Sequence, residues 1–289
     1  MSNNFDVLIK DGMVVTGAGM ARADLGIRGE KVAEIAPELD AQRGQRIIDA
    51  TGKYVLPGII DLHVHLSSRY SGAVAHKMLA RAGVTTALDM GAAPADALAT
   101  AASYGAGLNV GSLGGLVPHG NLPDRDPSRA AIRRALDECL DGGSLGIKIH
   151  FDNKLTPAAT KIAIDEANWQ RAWVAFHCGT TETASDITGL QEAVELAGPN
   201  RLHLAHVNSY CRGNVMDPVV EAQECISLLN GAPHLFSETY IASINGTSAR
   251  CADGLPVVER VGYPRAAWPR GSAHPACAVS GPFALPRRA

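Results

Sequence analysis

A chain of 289 residues with 26 Lys and Arg against 29 Asp and Glu carries no basic footprint, so neither nucleic acid nor an anionic membrane is an expected partner. No stretch approaches a membrane-spanning length, and Met1-Ser2-Asn3-Asn4-Phe5-Asp6 lacks the charged and apolar regions of a secretory signal, so a cytoplasmic protein is expected. Cys139, Cys178, Cys211, Cys225, Cys251 and Cys277 show no C-x-x-C spacing, which argues against a zinc ribbon or disulfide scaffold and for unpaired thiols.

Residues 5 to about 55 read as short strands. Val7-Leu8-Ile9, Met13-Val14-Val15, Leu25-Gly26-Ile27 and Val32-Ala33-Glu34-Ile35 are separated by Asp11-Gly12, Gly17-Ala18-Gly19 and Gly29-Glu30 turns, a small antiparallel unit. From Tyr54 the pattern alternates strand and helix, with strands expected at 55–65, 84–90, 107–113, 145–151, 172–178, 202–208 and 234–240. Helix starts pair a capping side chain with proline at Asp126-Pro127 (ahead of Ile132, Leu136 and Leu140), Thr156-Pro157 and Asp217-Pro218. Asp186 caps another, with Leu190 and Val194 as its apolar stripe and Gly198 near its end. Seven successive β-α units point to a parallel sheet, close to the eight of a (β/α)8 barrel; a doubly wound open sheet is the competitor. No Gly-x-Gly-x-x-Gly follows the first strand, so a dinucleotide site is not expected.

Polar residues interrupt the apolar strands near their C-terminal ends, where barrel enzymes place their chemistry. The first strand, Pro57-Gly58-Ile59-Ile60-Asp61-Leu62-His63-Val64-His65-Leu66, puts His63 and His65 on one face, able to serve one metal ion. The fourth, Leu145-Gly146-Ile147-Lys148-Ile149-His150, puts Lys148 and His150 on one face. A buried ammonium without a partner costs several kcal/mol, on the order of the penalty for any unpaired charge, so it pairs, neutralises or does chemistry. The fifth, Val174-Ala175-Phe176-His177-Cys178-Gly179, supplies His177. In the sixth, Leu202-His203-Leu204-Ala205-His206-Val207-Asn208-Ser209, His206 and Asn208 share a face and His203 points oppositely.

With these residues in place, the chain resembles the amidohydrolase superfamily of metal-dependent hydrolases over roughly residues 5 to 258. The resemblance rests on the β-rich N-terminal segment, Leu56-Pro57-Gly58-Ile59-Ile60-Asp61-Leu62-His63-Val64-His65, then Gly83-Val84-Thr85-Thr86, and then Lys148, His177 and His206 on successive strands. Within the superfamily it is similar to the hydantoinase, dihydroorotase and N-acyl-D-amino-acid deacylase branch. Asp186-Ile187-Thr188-Gly189 and Ala205-His206-Val207-Asn208-Ser209 lean toward the deacylases.

The resemblance implies an α/β fold, a (β/α)8-type TIM barrel over 56–258 beside a small N-terminal β-sandwich segment over 1–55. It implies one or two Zn²⁺, the more buried held by His63 and His65, the more exposed by His177 and His206, with Lys148 carboxylated as a bridging ligand. Metal-activated hydroxide would then attack the amide carbonyl of a small substrate, most simply an N-acyl-D-amino acid, with a cyclic amide of hydantoinase or dihydroorotase type as the alternative. His150, Ser209, Tyr210 and Arg212 are candidate substrate contacts, His119 is a further loop candidate, and Asp89 a candidate to orient a ligand histidine. His76, His203, His234 and His274 are read as structural.

The chain departs from that pattern after its seventh strand. The expected strand-eight Asp, the proton carrier, is not found; Asp253 follows no apolar strand. Residues 260–289 contain no Asp, Glu or Lys, and Pro264, Pro269, Pro275, Pro282 and Pro286 prevent any sustained helix. The expectation is a barrel lacking its eighth unit, with a disordered tail over 259–289 from a truncated or frameshifted gene. Two unpaired sheet edges would then favour homo-oligomers. A catalytically impaired metal-binding remnant is one alternative. A metal-free enzyme using Lys148 as a Schiff-base nucleophile is another, though it leaves His63 and His65 without a role.

Overall fold

The computed structural model describes residues 4–67 and 74–240, together with two short strands at Cys251–Ala252 and Leu255–Pro256. The chain divides into two compact units. The first runs through Leu62 and includes 74–87 and 106–109; the second takes the other described residues.

The first unit is built on β1 (Phe5–Thr16), flanked by β2 (Gly19–Arg28), β3 (Lys31–Ala36), β4 (Gly44–Asp49) and β5 (Tyr54–Val55). The order is β3-β2-β1-β4, with β5 also on β1. The expected antiparallel unit is only partly so. β2 pairs antiparallel with β1 and β3, whereas β4 and β5 run parallel to β1. Asp11-Gly12, expected as a turn, is instead a bulge within a single continuous strand. The register against β2 shifts between Ile9 and Gly12, and Asp11 sits at φ 63°. Its backbone N–H is held by the Asp24 carboxylate at 2.8 Å, and Lys10 binds the other oxygen of Asp24 at 2.7 Å. A side chain at Gly12 would meet Val55 Cγ2 at 2.5 Å, so close packing of the bulge requires glycine there.

Seven strands follow: β6 (Ile59–Val64), β7 (Val84–Gly91), β8 (Asn109–Gly115), β9 (Gly146–Ile149), β10 (Trp173–Phe176), β11 (His203–Leu204) and β12 (Phe236–Ser237). Between them lie α1 (Ala75–Arg81), α2 (Pro94–Tyr104), α3 (Arg129–Asp141), α4 (Pro157–Trp169), α5 (Ile187–Ala197) and α6 (Pro218–Gly231). Spatial order in the sheet is chain order throughout, and β8 to β12 are paired in parallel. A doubly wound sheet reverses direction at a switch point; this one never does, which is barrel-type winding. Among the described residues no helix is long and apolar enough to cross a membrane. The expected loss of an eighth unit and the disordered tail concern residues almost wholly outside those described.

The helix starts follow their capping chemistry. Thr156 Oγ1 accepts from Ala159 N and Asp217 from Val219 N, each with proline at the first helical position; Asp186 accepts from Thr188 N, and Gly198 at φ 52° ends α5. The third helix differs from expectation. Ser128, not Asp126, caps it by accepting from Ala131 N, while Asp126 accepts from the Thr156 hydroxyl at 2.6 Å.

One face of the sheet packs Ile147, Ile149, Val174, Phe176 and Leu204 against Ile132, Leu136, Ala163, Ile164 and Leu190 of the helices. The other face carries Leu88, Met90, Leu113 and Ala175. Lys148 and His203 are both in register with Ala175, and paired residues in a sheet point the same way. His203 therefore lies on the inner face, contrary to expectation. The error came from extending the strand to 208: β11 ends at Leu204, and His206 adopts a left-handed φ of 34° that turns its ring back inward. Both histidines reach the same side because the alternation breaks between them.

Candidate metal centre

The expected ligands come together within the second unit. His63 and His65, from the end of β6, have ring centroids 5.3 Å apart; His63 lies 5.2 Å from His206, and His206 4.4 Å from His177. His150 joins the row 4.4 Å from His177. His65 is the most open of these rings, while Lys148 lies beneath the group at 1% exposure. Its ammonium donates to Met90 Sδ at 3.4 Å, a weak acceptor.

The surroundings lower the basicity of His65, Lys148, His150, His177 and His206. Burial pulls Lys148 down to about 8, against the opposing pull of Glu238. Burial, then the positive charge of His63 and Lys148, lowers His206 to about 3. Burial followed by Lys148 lowers His150 to about 4, and burial with His206 and His150 holds His177 far below the usual imidazole range. Neutral imidazole is the form that binds metal.

Each of three rings is steadied through one nitrogen. His63 Nδ1 contacts Glu238 Oε1 at 2.5 Å, His177 Nε2 contacts Ser185 Oγ at 2.8 Å, and His206 Nδ1 contacts Ser209 Oγ at 2.6 Å. Such partners are what metal-binding histidines need to fix their tautomers. Among the described residues no three His, Cys, Asp or Glu side chains already close on a common point, because the rings pack on one another instead. The donor set itself, imidazoles around a poorly solvated lysine, suits a divalent transition metal.

Residues 54–244 match the model of the Amidohydrolase family. The chain belongs to this family. It is 32% identical over 160 residues to an allantoinase of Enterococcus faecalis, a match covering 50% of this chain and 32% of that protein. Its fold is similar to N-acyl-D-glutamate deacylase from Bordetella bronchiseptica, solved with zinc and a phosphonate mimic of the tetrahedral intermediate. That match has a TM-score of 0.65 at 18% identity, over 83% of this chain and 59% of the other. L-hydantoinase from Arthrobacter aurescens follows at 0.59 and 21% identity, over 81% and 58%. The chain thus spans less than two thirds of each of these proteins.

In this member of the family the candidate substrate residues part company. His150 stays beside His177 with its side chain a third exposed, its Nδ1 accepting from Asp152 N at 3.1 Å. Ser209 is spent on His206. Tyr210, expected at the substrate, is fully buried behind His177 and His206, its hydroxyl accepting from Cys178 N at 2.9 Å. A short 3-10 helix, Val207–Tyr210, turns it inward, where it can only support the rings. Arg212 is exposed and donates to the Tyr240 hydroxyl at 2.5 Å. His119 is an exposed loop residue at φ 60°. Asp89 is buried and accepts from both the backbone and hydroxyl of Ser67. Asp253 lies outside the described residues.

Sequence reasoning missed Glu238. Burial works against its charge, but the N–H groups of His203 and His63 hold its carboxyl far below the usual carboxylate range. The signal was present: Glu238 follows Phe236-Ser237 at the end of β12, the strand position that had flagged the histidines.

Proposed function

We propose that this amidohydrolase hydrolyses a C–N bond of a small amide at the His63, His65, Lys148, His177 and His206 cluster. The observation that carries the reading is the convergence of these side chains from four strand ends, with His63, His177 and His206 each backed by a hydrogen-bond partner. When bound there, one or two divalent ions, zinc first among them, would acidify water and polarise the amide carbonyl.

The four histidines would hold the ions, and the lowered basicity of His65, His177 and His206 would spare those three from competition by protons. Lys148, with burial favouring its free amine, is suited to capture carbon dioxide. A new N–C bond forms, one proton leaves, and the buried cation becomes an anionic ligand. His150, a third exposed beside His177, would meet substrate from the solvent side.

An N-acyl-D-amino acid is the proposed substrate class, supported by the deacylase likeness and the Asp186-Ile187-Thr188-Gly189 segment. The allantoinase and hydantoinase relatives favour a cyclic amide as the second reading. The test is turnover by the zinc-loaded chain on N-acetyl-D-amino acids and hydantoins, with His63→Ala in parallel. Turnover lost in the variant supports the proposal, and the preferred panel decides between the two classes. A chain that takes up zinc but turns over neither panel refutes hydrolysis and leaves a metal-binding remnant. Activity that survives His63→Ala refutes the metal centre and revives the Schiff-base role of Lys148.

A further inference from the structure

We propose that Glu238, backed by His203, is a positioning residue that locks His63 in the tautomer with its hydrogen on Nδ1 and its lone pair on Nε2, the form in which Nε2 can ligate a metal ion. This rests on the metal-centre reading above and adds to it a residue pair from the inner face of the sheet.

A chain of contacts fixes where the ring hydrogens sit. Indole Nε1 of Trp173 can only donate, and it reaches His203 Nδ1 at 3.3 Å. His203 Nδ1 must therefore accept, which puts the ring hydrogen of the neutral imidazole on Nε2. That Nε2 is buried without a hydrogen-bond partner and faces Glu238 Oε1 at 3.6 Å, near enough for attraction but beyond a hydrogen bond. The same oxygen meets His63 Nδ1 at 2.5 Å. An ionised carboxylate only accepts, so His63 carries its hydrogen on Nδ1 and keeps its lone pair on Nε2.

The backbone holds the carboxylate in place. Glu238 N donates to Leu204 O at 3.4 Å, and Val207 N donates to Glu238 O at 2.9 Å, pinning the end of β12 on both sides to the segment that carries His206. His177 and His206 lean on neutral hydroxyls, whereas His63 leans on a charge. A carboxylate behind a metal-binding histidine fixes its orientation and raises its basicity as a ligand.

The experiment compares wild type, Glu238→Gln and Glu238→Ala in two readouts. One is zinc affinity by chelator competition. The other is the tautomer of His63 from nitrogen-15 NMR of the zinc-free chain, assigned with His63→Gln. The expected result is a single Nδ1–H tautomer in wild type, a mixed population in Glu238→Ala, and a loss of zinc affinity of about 10- to 100-fold in that variant. Glu238→Gln keeps the shape without the charge and should lie between. Should Glu238→Ala not fold, the glutamine variant carries the test, and affinity equal to wild type overturns the proposal. Equal affinity and tautomer in all three chains overturns the positioning role alone. A wild-type chain that binds no zinc overturns the metal centre and this inference with it.

Discussion

Glu221 offers the sharpest test of how the loop after the strand-six histidine is held. Its side chain is fully buried at the start of α6, and it is the acceptor for a whole turn of backbone. Oε1 accepts from Val215 N at 2.8 Å and Met216 N at 3.0 Å, while Oε2 accepts from Gly213 N at 2.7 Å. In Glu221→Gln one oxygen becomes an amide nitrogen that faces an N–H instead of accepting from it. At least one charge-assisted bond is lost and one donor is left unpaired, a destabilisation of about 2–4 kcal/mol from the ordinary worth of such bonds. These backbone bonds overcome burial and lower the Glu221 pKa below its ordinary value. The stability it contributes is therefore fully present above the unfolded-state carboxylate pKa and is lost as pH falls through the lower folded value. Urea unfolding at pH 7 and at successively lower pH measures both effects. A glutamine variant within about 0.5 kcal/mol of wild type at pH 7, the range of an ordinary surface change, would refute the account.

Tyr210→Phe strands the buried Cys178 N–H and should cost about 1–3 kcal/mol in the same unfolding measurement; a neutral change would show that the contact is incidental. Ser209→Ala removes the partner of His206 Nδ1, and zinc affinity should fall about tenfold, read by chelator competition, with the melting temperature little changed. Because their pKa values are lowered, His177 and His206 should stay neutral as pH drops from 8 to 5 in the zinc-free chain. Ring resonances that titrate near 6.5 would contradict the burial argument. Gly146→Ala would place a Cβ 1.9 Å from Trp173 O at a φ of 157°, so loss of folded protein in circular dichroism is expected.

Much of the site was legible because it sits on strands long enough for alternation to hold. In β9 the isoleucines on either side of Lys148 announce one buried face, and the lysine necessarily takes the other. The same rule misplaced His203, since two residues of strand give alternation nothing to work on. The left-handed turn at His206 carries no glycine or asparagine to betray it. Tyr210 read as a substrate contact because it follows a strand end with a polar tip; only the 3-10 turn shows the tip pointing into the core. In the N-terminal unit, Asp11-Gly12 has the composition of a hairpin turn. The hydrogen bond from Asp11 N to Asp24, a contact thirteen residues distant, makes it a bulge. The parallel pairing of β4 and β5 with β1 is equally non-local, and no local pattern announces it.

The bond between His63 and Glu238 joins residues 175 positions apart, from the first and last strands of the sheet order. Closing so long a loop is among the costlier steps a chain can take, so this contact belongs late in folding, after strands have docked one by one beside their predecessors. During synthesis the histidines of β6 leave the ribosome long before their carboxylate does. On the proposed metal-centre reading, an ion that arrived in that interval would meet ligands whose orientation is not yet set, and tight binding would mark a finished chain.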